Sequence, residues 1–542
     1  MPPHHRTKGA QWETLFALPD QPALPLQQRL RLSVVQAILD RRLPAGAPLP
    51  SSRELANLLG LSRNTVTAAY TQLMDDGFLE SRPRSGVFVA QSPGGLDMPQ
   101  GVASGAPVRA GTDPSAPAHR PGPERAQPDW RARVLRSLVA QRTLAKPDQW
   151  RQYRYPFVYG TYDPLLFPSE AFRECCVHSL ARSHLPQWTP DFELSDVPEV
   201  IEQIRLRLLP KRGVFALPEE ILITVGAQHA YYLLAEALFD TQQRVGLEEP
   251  GHPHARNSFA LRAPQFVPLP VDSQGLIVDG LPPLDYCFVT PSHQSPTTHT
   301  LSMERRTALL ALAERKNFVV IEDDYEAENL YQGQPMPALK SLDKVGRVIY
   351  VGSVSKSLSP SLRLGYIVAP RALIAELREL RHAMLRHPSA FLQHAFALFL
   401  SLGHHETHAR RVNAAMQERM QLAAAALAAH LPDFACTLPS GGASLWVQAP
   451  AWVDAAELGL IARSHGVLIE AGDVFFQNPP YPCNYFRLRL SSIPAGLISS
   501  GIEALGRAVE ELARARGAVR KTGLRPPVCP LPTQAARDTL AR

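Results

Sequence analysis

Hydrophobic positions follow two different rhythms along this chain. Between residues 26 and 90 they recur at helical spacing. Leu30, Val34, Ala37 and Ile38 share one face of LQQRLRLSVVQAILD, as an amphipathic helix requires. Ser51-Ser52-Arg53-Glu54 then opens a second helix with a Ser-x-x-Glu capping box, and Gly60 closes it. After a very short turn, Ser62 is the N-cap of a third helix, RNTVTAAYTQLMDD. Its Val66, Ala69, Tyr70 and Leu73 face inward, while Arg63, Asn64, Thr65 and Thr67 stand at the exposed start. FLESRPRSGVFVA adds two β runs around the turn Pro83-Arg84-Ser85-Gly86. Helix, tight turn, helix and a wing with two arginines predict a small winged helix-turn-helix.

Further along, the apolar runs ILITV, VGLEEP, YCFVT, FVVIEDD and VIYVG alternate with helical patterns. That alternation predicts a large α/β domain with a mostly parallel sheet. Residues 91–128 lie between the two patterns, with eight Pro, six Gly and almost no large apolar side chain. Such a segment cannot offset the entropy of ordering and reads as a linker. The expected organisation is therefore multidomain: a DNA-binding domain over 12–90, the linker 91–128, a large domain 129–515 and a basic, disordered tail 516–542.

Composition sharpens this picture. The 51 prolines in 542 residues are too many for one compact unit, while 45% hydrophobic residues suffice for a large core. Six cysteines include no C-x-x-C, and Cys175 and Cys176 are adjacent, which fits a reducing compartment. No apolar stretch suits a signal peptide or a membrane span, so the expectation is a cytoplasmic protein without membrane contact. The formal charge of +6 decides little by itself, because charge must be concentrated on one face to recruit a polyanion. Residues 23–90 hold eight Arg against five acids, and Asp75, Asp76 and Glu80 lie away from the start of the third helix.

Candidate chemistry lies in the large domain. Asp323 ends one strand-like run, and Lys356 follows another inside SVSKSLSPSLRLGY, with Arg363 seven residues on. A lysine among hydroxyls beside an arginine suits an imine-forming amine next to a phosphate clamp. A carboxylate at a strand's C-terminal end can protonate a pyridine nitrogen. ILITVGAQHAYYLLAEAL supplies a strand, a glycine turn and a helix N-terminus fit for a phosphate.

LPSSRELANLLGLSRNTVTAAYTQLMDDGFLESRPRSGVFV resembles the DNA-binding domain of GntR-type bacterial repressors. The resemblance implies that Arg53, Arg63, Thr65 and Gly86 contact double-stranded DNA. In the large domain TVGAQHA, EEPGHPHAR, TPSHQSPTT, IEDDYEAENLY and SVSKSLSPSLRLGY, in that order, resemble the fold-type I (class I aminotransferase) pyridoxal phosphate enzymes over roughly residues 155–515. Joined, the two parts resemble the MocR (GabR-like) subfamily of GntR transcription regulators. This implies Lys356 as the aldimine lysine of pyridoxal 5'-phosphate, Asp323 as partner of its pyridine nitrogen and Tyr325 as donor to its ring hydroxyl. The amides of Ala227 and Gln228, with Ser353 and Arg363, would hold the phosphate, and Arg487 an effector's carboxylate.

Several positions depart from the family. His252 stands where a tyrosine usually stacks on the cofactor, the usual PTG reads Pro296-Thr297-Thr298, and the Asn of true aminotransferases is replaced within His293-Gln294-Ser295. Arg489 replaces a glycine close to Arg487. It either suits a more anionic or sulfonate-like head group or pairs with a local acid such as Asp473. The expectation is that it points to the face opposite Arg487. His404, His405 and His408 are expected at an exposed helix start, with no metal site. The resemblance also implies a head-to-tail homodimer, each winged helix resting on the partner. The linker's reach of roughly 30 to 40 Å is enough for that crossing. An amino compound would form an external aldimine and thereby alter DNA binding at a nearby metabolic operon, the protein being nucleoid-associated when bound. Two alternatives stay open: a working aminotransferase, wholly or for the first half-reaction, and a sensor of pyridoxal phosphate itself.

Overall fold

A computed structural model of the chain describes Trp12, Leu15, Phe16, Leu18 and residues 24–83, 85–91, 129–134, 141–144, 146–159, 163–192, 194–326, 328–331, 336–354 and 358–517. It divides into two compact units, 1–128 and 129–542. The linker beyond residue 91, the wing's Arg84, Lys356 and the tail beyond residue 517 lie outside the described residues.

The first unit contains helices Leu26–Leu39, Ser52–Leu59 and Arg63–Asp75, followed by the antiparallel hairpin Leu79–Arg82 with Gly86–Val89. Ser51 and Glu54 close their capping box reciprocally, and Gly60 ends that helix at φ +64°, a left-handed conformation that suits glycine. Leu30, Val34, Leu55, Val66, Ala69 and Leu73 are fully buried in one core.

The second unit is built on an eight-stranded sheet. Its order is Ile221–Thr224, Gly365–Val368, Val348–Ser353, Val319–Asp323, Tyr286–Val289, Arg244–Glu249, Gln265–Asp272 and Gly275–Leu276. The five strands from Val348–Ser353 to Gln265–Asp272 are mutually parallel. The inner strands Tyr286–Val289, Val319–Asp323 and Val348–Ser353 are mostly apolar and buried, as strands covered on both faces must be, whereas Gln265–Asp272 nearer the edge has several exposed positions. Their C-terminal ends bring Asp323, Glu249 and Ser353 to one edge of the sheet. A four-stranded sheet, ordered Ala435–Cys436, Ser444–Gln448, Tyr485–Arg489 and Glu470–Ala471, lies toward the C-terminus. Helices His404–His430 and Ala495–Ala515 share a core with it.

One expectation fails here. His405 and His408 are 1% and 3% exposed, so the start of helix His404–His430 is not a solvated end. His405 pairs through Nε2 with Glu328 at 3.0 Å, and its ring packs edge-on against Phe396 and Phe399. The histidine spacing seen in sequence is the buried stripe of a packed helix.

Candidate cofactor, effector and DNA sites

Asp323 ends its strand almost completely buried, and the Tyr231 hydroxyl donates to its Oδ2 at 2.6 Å. Tyr231 belongs to helix Gly226–Leu238, so this bond joins the end of the central sheet to the helix that follows the first strand. Burial and then the Asp323 charge push the Tyr231 hydroxyl far above its ordinary pKa, so it remains a donor. His252 stands edge-on to both Tyr231 and Tyr325, with ring centroids 5.8 and 6.3 Å away. Its Nδ1 accepts the Ala255 N–H at 3.2 Å as N-cap of helix Pro253–Phe259. The neutral imidazole therefore carries its proton on Nε2.

The start of helix Gly226–Leu238 forms a cradle. Gly226 has φ +72°, and a Cβ there would meet the Arg363 guanidinium at 3.1 to 3.3 Å. Arg363 donates to the Val225 carbonyl at 3.0 Å. Ala227 and Gln228 follow in the first turn, where helix amides lack intrahelical partners. His229 accepts the Val225 N–H at 3.0 Å through Nδ1, and burial followed by the charges of Arg381 and Arg363 lowers its pKa to about 4. Ser353 is two residues beyond Val351, which pairs in register with Asp323. Asp323, Tyr325, Tyr231 and His252 thus surround one end of a site, and the Gly226 turn with Arg363 forms another. These residues fit pyridoxal phosphate: a buried carboxylate for a pyridinium, and a cation with helix amides for a dianion.

Arg487 and Arg489 do not face opposite ways. Residues two apart on a strand share a face, and both arginines draw the Tyr325 hydroxyl's pKa down against the burial that raises it. Each has its own acid. Arg487 Nε donates to Glu470 Oε2 at 2.7 Å, and its guanidinium lies 4.7 Å from the Phe475 ring centroid. Arg489 pairs with Glu326 and donates to Ser444 Oγ at 3.0 Å and Ser491 Oγ at 3.1 Å. The acid beside Arg489 is therefore Glu326 rather than Asp473. Burial pushes the Glu470 carboxyl up, but the Arg487 charge and the bonds from Arg487 and the Tyr159 N–H hold it below its ordinary range. Only the Nε of Arg487 is spent on Glu470.

Sequence reasoning missed Tyr231, Glu470 and Glu326. It also missed Glu248, which accepts from Thr290 and Gln294 and whose pKa burial raises to about 7. Gln294, which stands in the segment that departs from true aminotransferases, thus braces the Glu248 carboxylate as well as the Pro250 carbonyl at 2.8 Å.

On the first unit, Arg53 and Arg63 are exposed and make no ion pair among the described residues. Ser62 caps the third helix by accepting the Thr65 N–H at 3.1 Å, and the two hydroxyls lie 2.8 Å apart. Gly86 sits at the exposed wing turn with φ +110° and open space where a Cβ would be.

The description "Bacterial regulatory proteins, gntR family" matches residues 26–89, and "Aminotransferase class I and II" matches residues 197–504, more than half the chain. The HTH-type transcriptional regulator TauR of Rhodobacter capsulatus is 41% identical over 89% of this chain and 96% of its own length. This chain belongs to the MocR-type GntR transcription regulators. The probable rhizopine catabolism regulatory protein MocR of Rhizobium meliloti is 34% identical over 76% of this chain and 79% of its own length. Among solved structures, the α-aminoadipate aminotransferase LysN of Thermus thermophilus, complexed with N-(5'-phosphopyridoxyl)-L-leucine, is 26% identical. Its TM-score is 0.63 over 71% of this chain and 97% of that one. In a MocR-type regulator the first unit is the DNA-binding helix-turn-helix and the second a fold-type I aminotransferase domain.

Proposed function

We propose that this MocR-type regulator carries pyridoxal 5'-phosphate in its large unit and that an amino compound bound there sets how its winged helices engage DNA at a nearby metabolic operon. What carries this reading is the presence in one chain of two exposed arginines, Arg53 and Arg63, without an ion pair among the described residues, and of the buried Asp323–Tyr231 pair beside the Gly226–Arg363 cradle. Bound there, the cofactor supplies an aldehyde that condenses reversibly with amines and a ring that accepts electron density.

Each residue then has a distinct task. Asp323 keeps the ring nitrogen protonated, and the Tyr231 hydroxyl fixes that carboxylate. Tyr325 donates to the ring oxygen, and His252 packs on the ring. Ala227, Gln228, Ser353 and Arg363 hold the phosphate, Lys356 supplies the resident amine, and Arg487 orients the acidic end of the effector. On DNA, Arg63 and Thr65 enter the major groove while Arg53 and the Gly86 amide hold phosphates. The working form is a head-to-tail homodimer in the cytoplasm. Among the described residues no helix is long and apolar enough to cross a membrane.

The competing reading is a working aminotransferase, since every part for a first half-reaction is present. Incubating the holoprotein with a panel of amino compounds and 2-oxoglutarate separates the two. A regulator yields no more than a single turnover per protomer, together with altered DNA binding. Sustained turnover would contradict the proposal.

A further inference from the structure

Around Arg487 the ion pairs leave one nearby cation over. Arg487 is matched by Glu470 and Arg489 by Glu326. The third cation, Lys146, is half-buried and makes no ion pair among the described residues. Its Nζ donates to the Tyr159 carbonyl and lies 4.6 Å from the Trp150 ring centroid. The backbone of Tyr159 links it to the arginine, because the Tyr159 N–H donates to Glu470 Oε1 at 2.8 Å while Glu470 Oε2 holds Arg487 at 2.7 Å. Burial lowers the Lys146 pKa, and the Arg151 and Arg487 charges add to this while Glu470 opposes it. Of Arg487, Arg489 and Lys146, the one without an acid partner among the described residues is therefore Lys146 and not Arg489.

Lys146 also belongs to the first described stretch with tertiary ties after the proline-rich segment. Four residues earlier, Arg142 donates to the carbonyls of Phe476 at 2.9 Å and Gln477 at 2.7 Å, directly after the Phe475 ring that carries Arg487. Gln141 and Arg142 are bonded to Asn257, on the helix capped by His252, at 3.2 and 2.9 Å. One short segment is thus anchored both to the arginine corner and to the helix beside the ring site.

We propose that Lys146 is a further residue of the effector site. The single negative group of an amino acid or aminosulfonate, held by Arg487, takes the Lys146 ammonium from the Tyr159 carbonyl, and its arrival is registered in the segment that leads back to the linker. A monoanionic head is favoured because, of Arg487, Arg489 and Lys146, only Lys146 has no acid partner among the described residues. This rests on the reading of Arg487 as the acid-binding arginine.

The test uses the full-length holoprotein titrated by absorbance with β-alanine, 2-aminoethanesulfonate and, as an amine without an acid, propylamine. The quantity read is the affinity ratio of each acid-bearing probe to propylamine. Lys146→Met keeps a stem of similar length over Trp150 and removes the charge. It should lower the ratio at least tenfold for whichever probe wild type prefers, and Lys146→Arg should restore it. Hydrogen exchange in peptides spanning residues 141–152 should slow on adding that probe to wild type but not to Lys146→Met. The arms with carboxylate and sulfonate distinguish the two head groups. An unchanged ratio in Lys146→Met, with Arg487→Ala abolishing it, overturns the role of Lys146 and leaves that of Arg487 standing. No acid preference in wild type, or one that survives Arg487→Ala, overturns both.

Discussion

Replacing Gly226 by Ala perturbs the phosphate cradle at a single atom. The residue has φ +72°, and the new Cβ would stand 3.1 Å from Arg363 Cζ and 3.2 Å from its Nη2. Two costs follow. The left-handed backbone costs an L-residue about 1 to 2 kcal/mol, and the guanidinium has to move away, because it is the flexible partner in the clash. A hydrogen bond to a charged group is worth about 1.5 to 3 kcal/mol, so losing the Arg363 contact should weaken pyridoxal phosphate binding by about one to two orders of magnitude. Gly280 is the control: its φ is +74°, but nothing lies within 4 Å of its Cβ position. Both alanine variants should melt at lower temperature, and only Gly226→Ala should show the weaker affinity when apoprotein is titrated with the cofactor by absorbance. Wild-type affinity in Gly226→Ala, or an equal loss in Gly280→Ala, would refute the assignment of the cradle.

Three other outcomes are expected. Tyr231→Phe removes the 2.6 Å bond to Asp323; it should weaken cofactor binding by about tenfold and shift the bound absorbance band, whereas an unchanged band would detach Tyr231 from the ring. His229 has a folded pKa of about 4 against an ordinary 6.5, so the folded state binds fewer protons and stability should fall as pH drops from about 6.5 to about 4, by at most about 3 kcal/mol. Denaturant melts comparing wild type with His229→Gln should show that slope only in wild type. Arg63→Ala should remove specific operator binding while leaving cofactor loading intact, because a base contact costs about 1 to 3 kcal/mol and the proposed dimer would lose it twice. Gel shifts that stay tight and specific would mean that another face reads the DNA.

The parts that were legible in the sequence are those whose chemistry lies in consecutive residues. The capping box at Ser51 and Glu54, the inward positions of the helix Arg63–Asp75 and Asp323 at a strand end all follow from local pattern. Tyr231 was hidden because its partner is 92 residues away. Nothing in AQHAYYLL distinguishes a tyrosine that packs from one that holds a carboxylate. Glu470 and Glu326 were hidden for the same reason, each meeting its arginine only through the folding of the second sheet. Arg489 was misplaced by a different error: a two-residue step returns a strand side chain to the same face. His405 and His408 looked exposed because three histidines at helical spacing read as a polar face, whereas the aromatic side chains of Phe396 and Phe399 cover His405.

In the proposed regulator, occupancy of the cofactor domain changes DNA binding. The measurement that meets it most directly is the affinity of the same holoprotein for its own promoter fragment, with and without each amino compound that alters its absorbance. Such a compound should shift promoter affinity by tenfold or more, and borohydride-reduced protein, with the cofactor fixed on Lys356, should no longer respond. Promoter affinity that stays constant while the absorbance changes, or a response that persists after reduction, would contradict it.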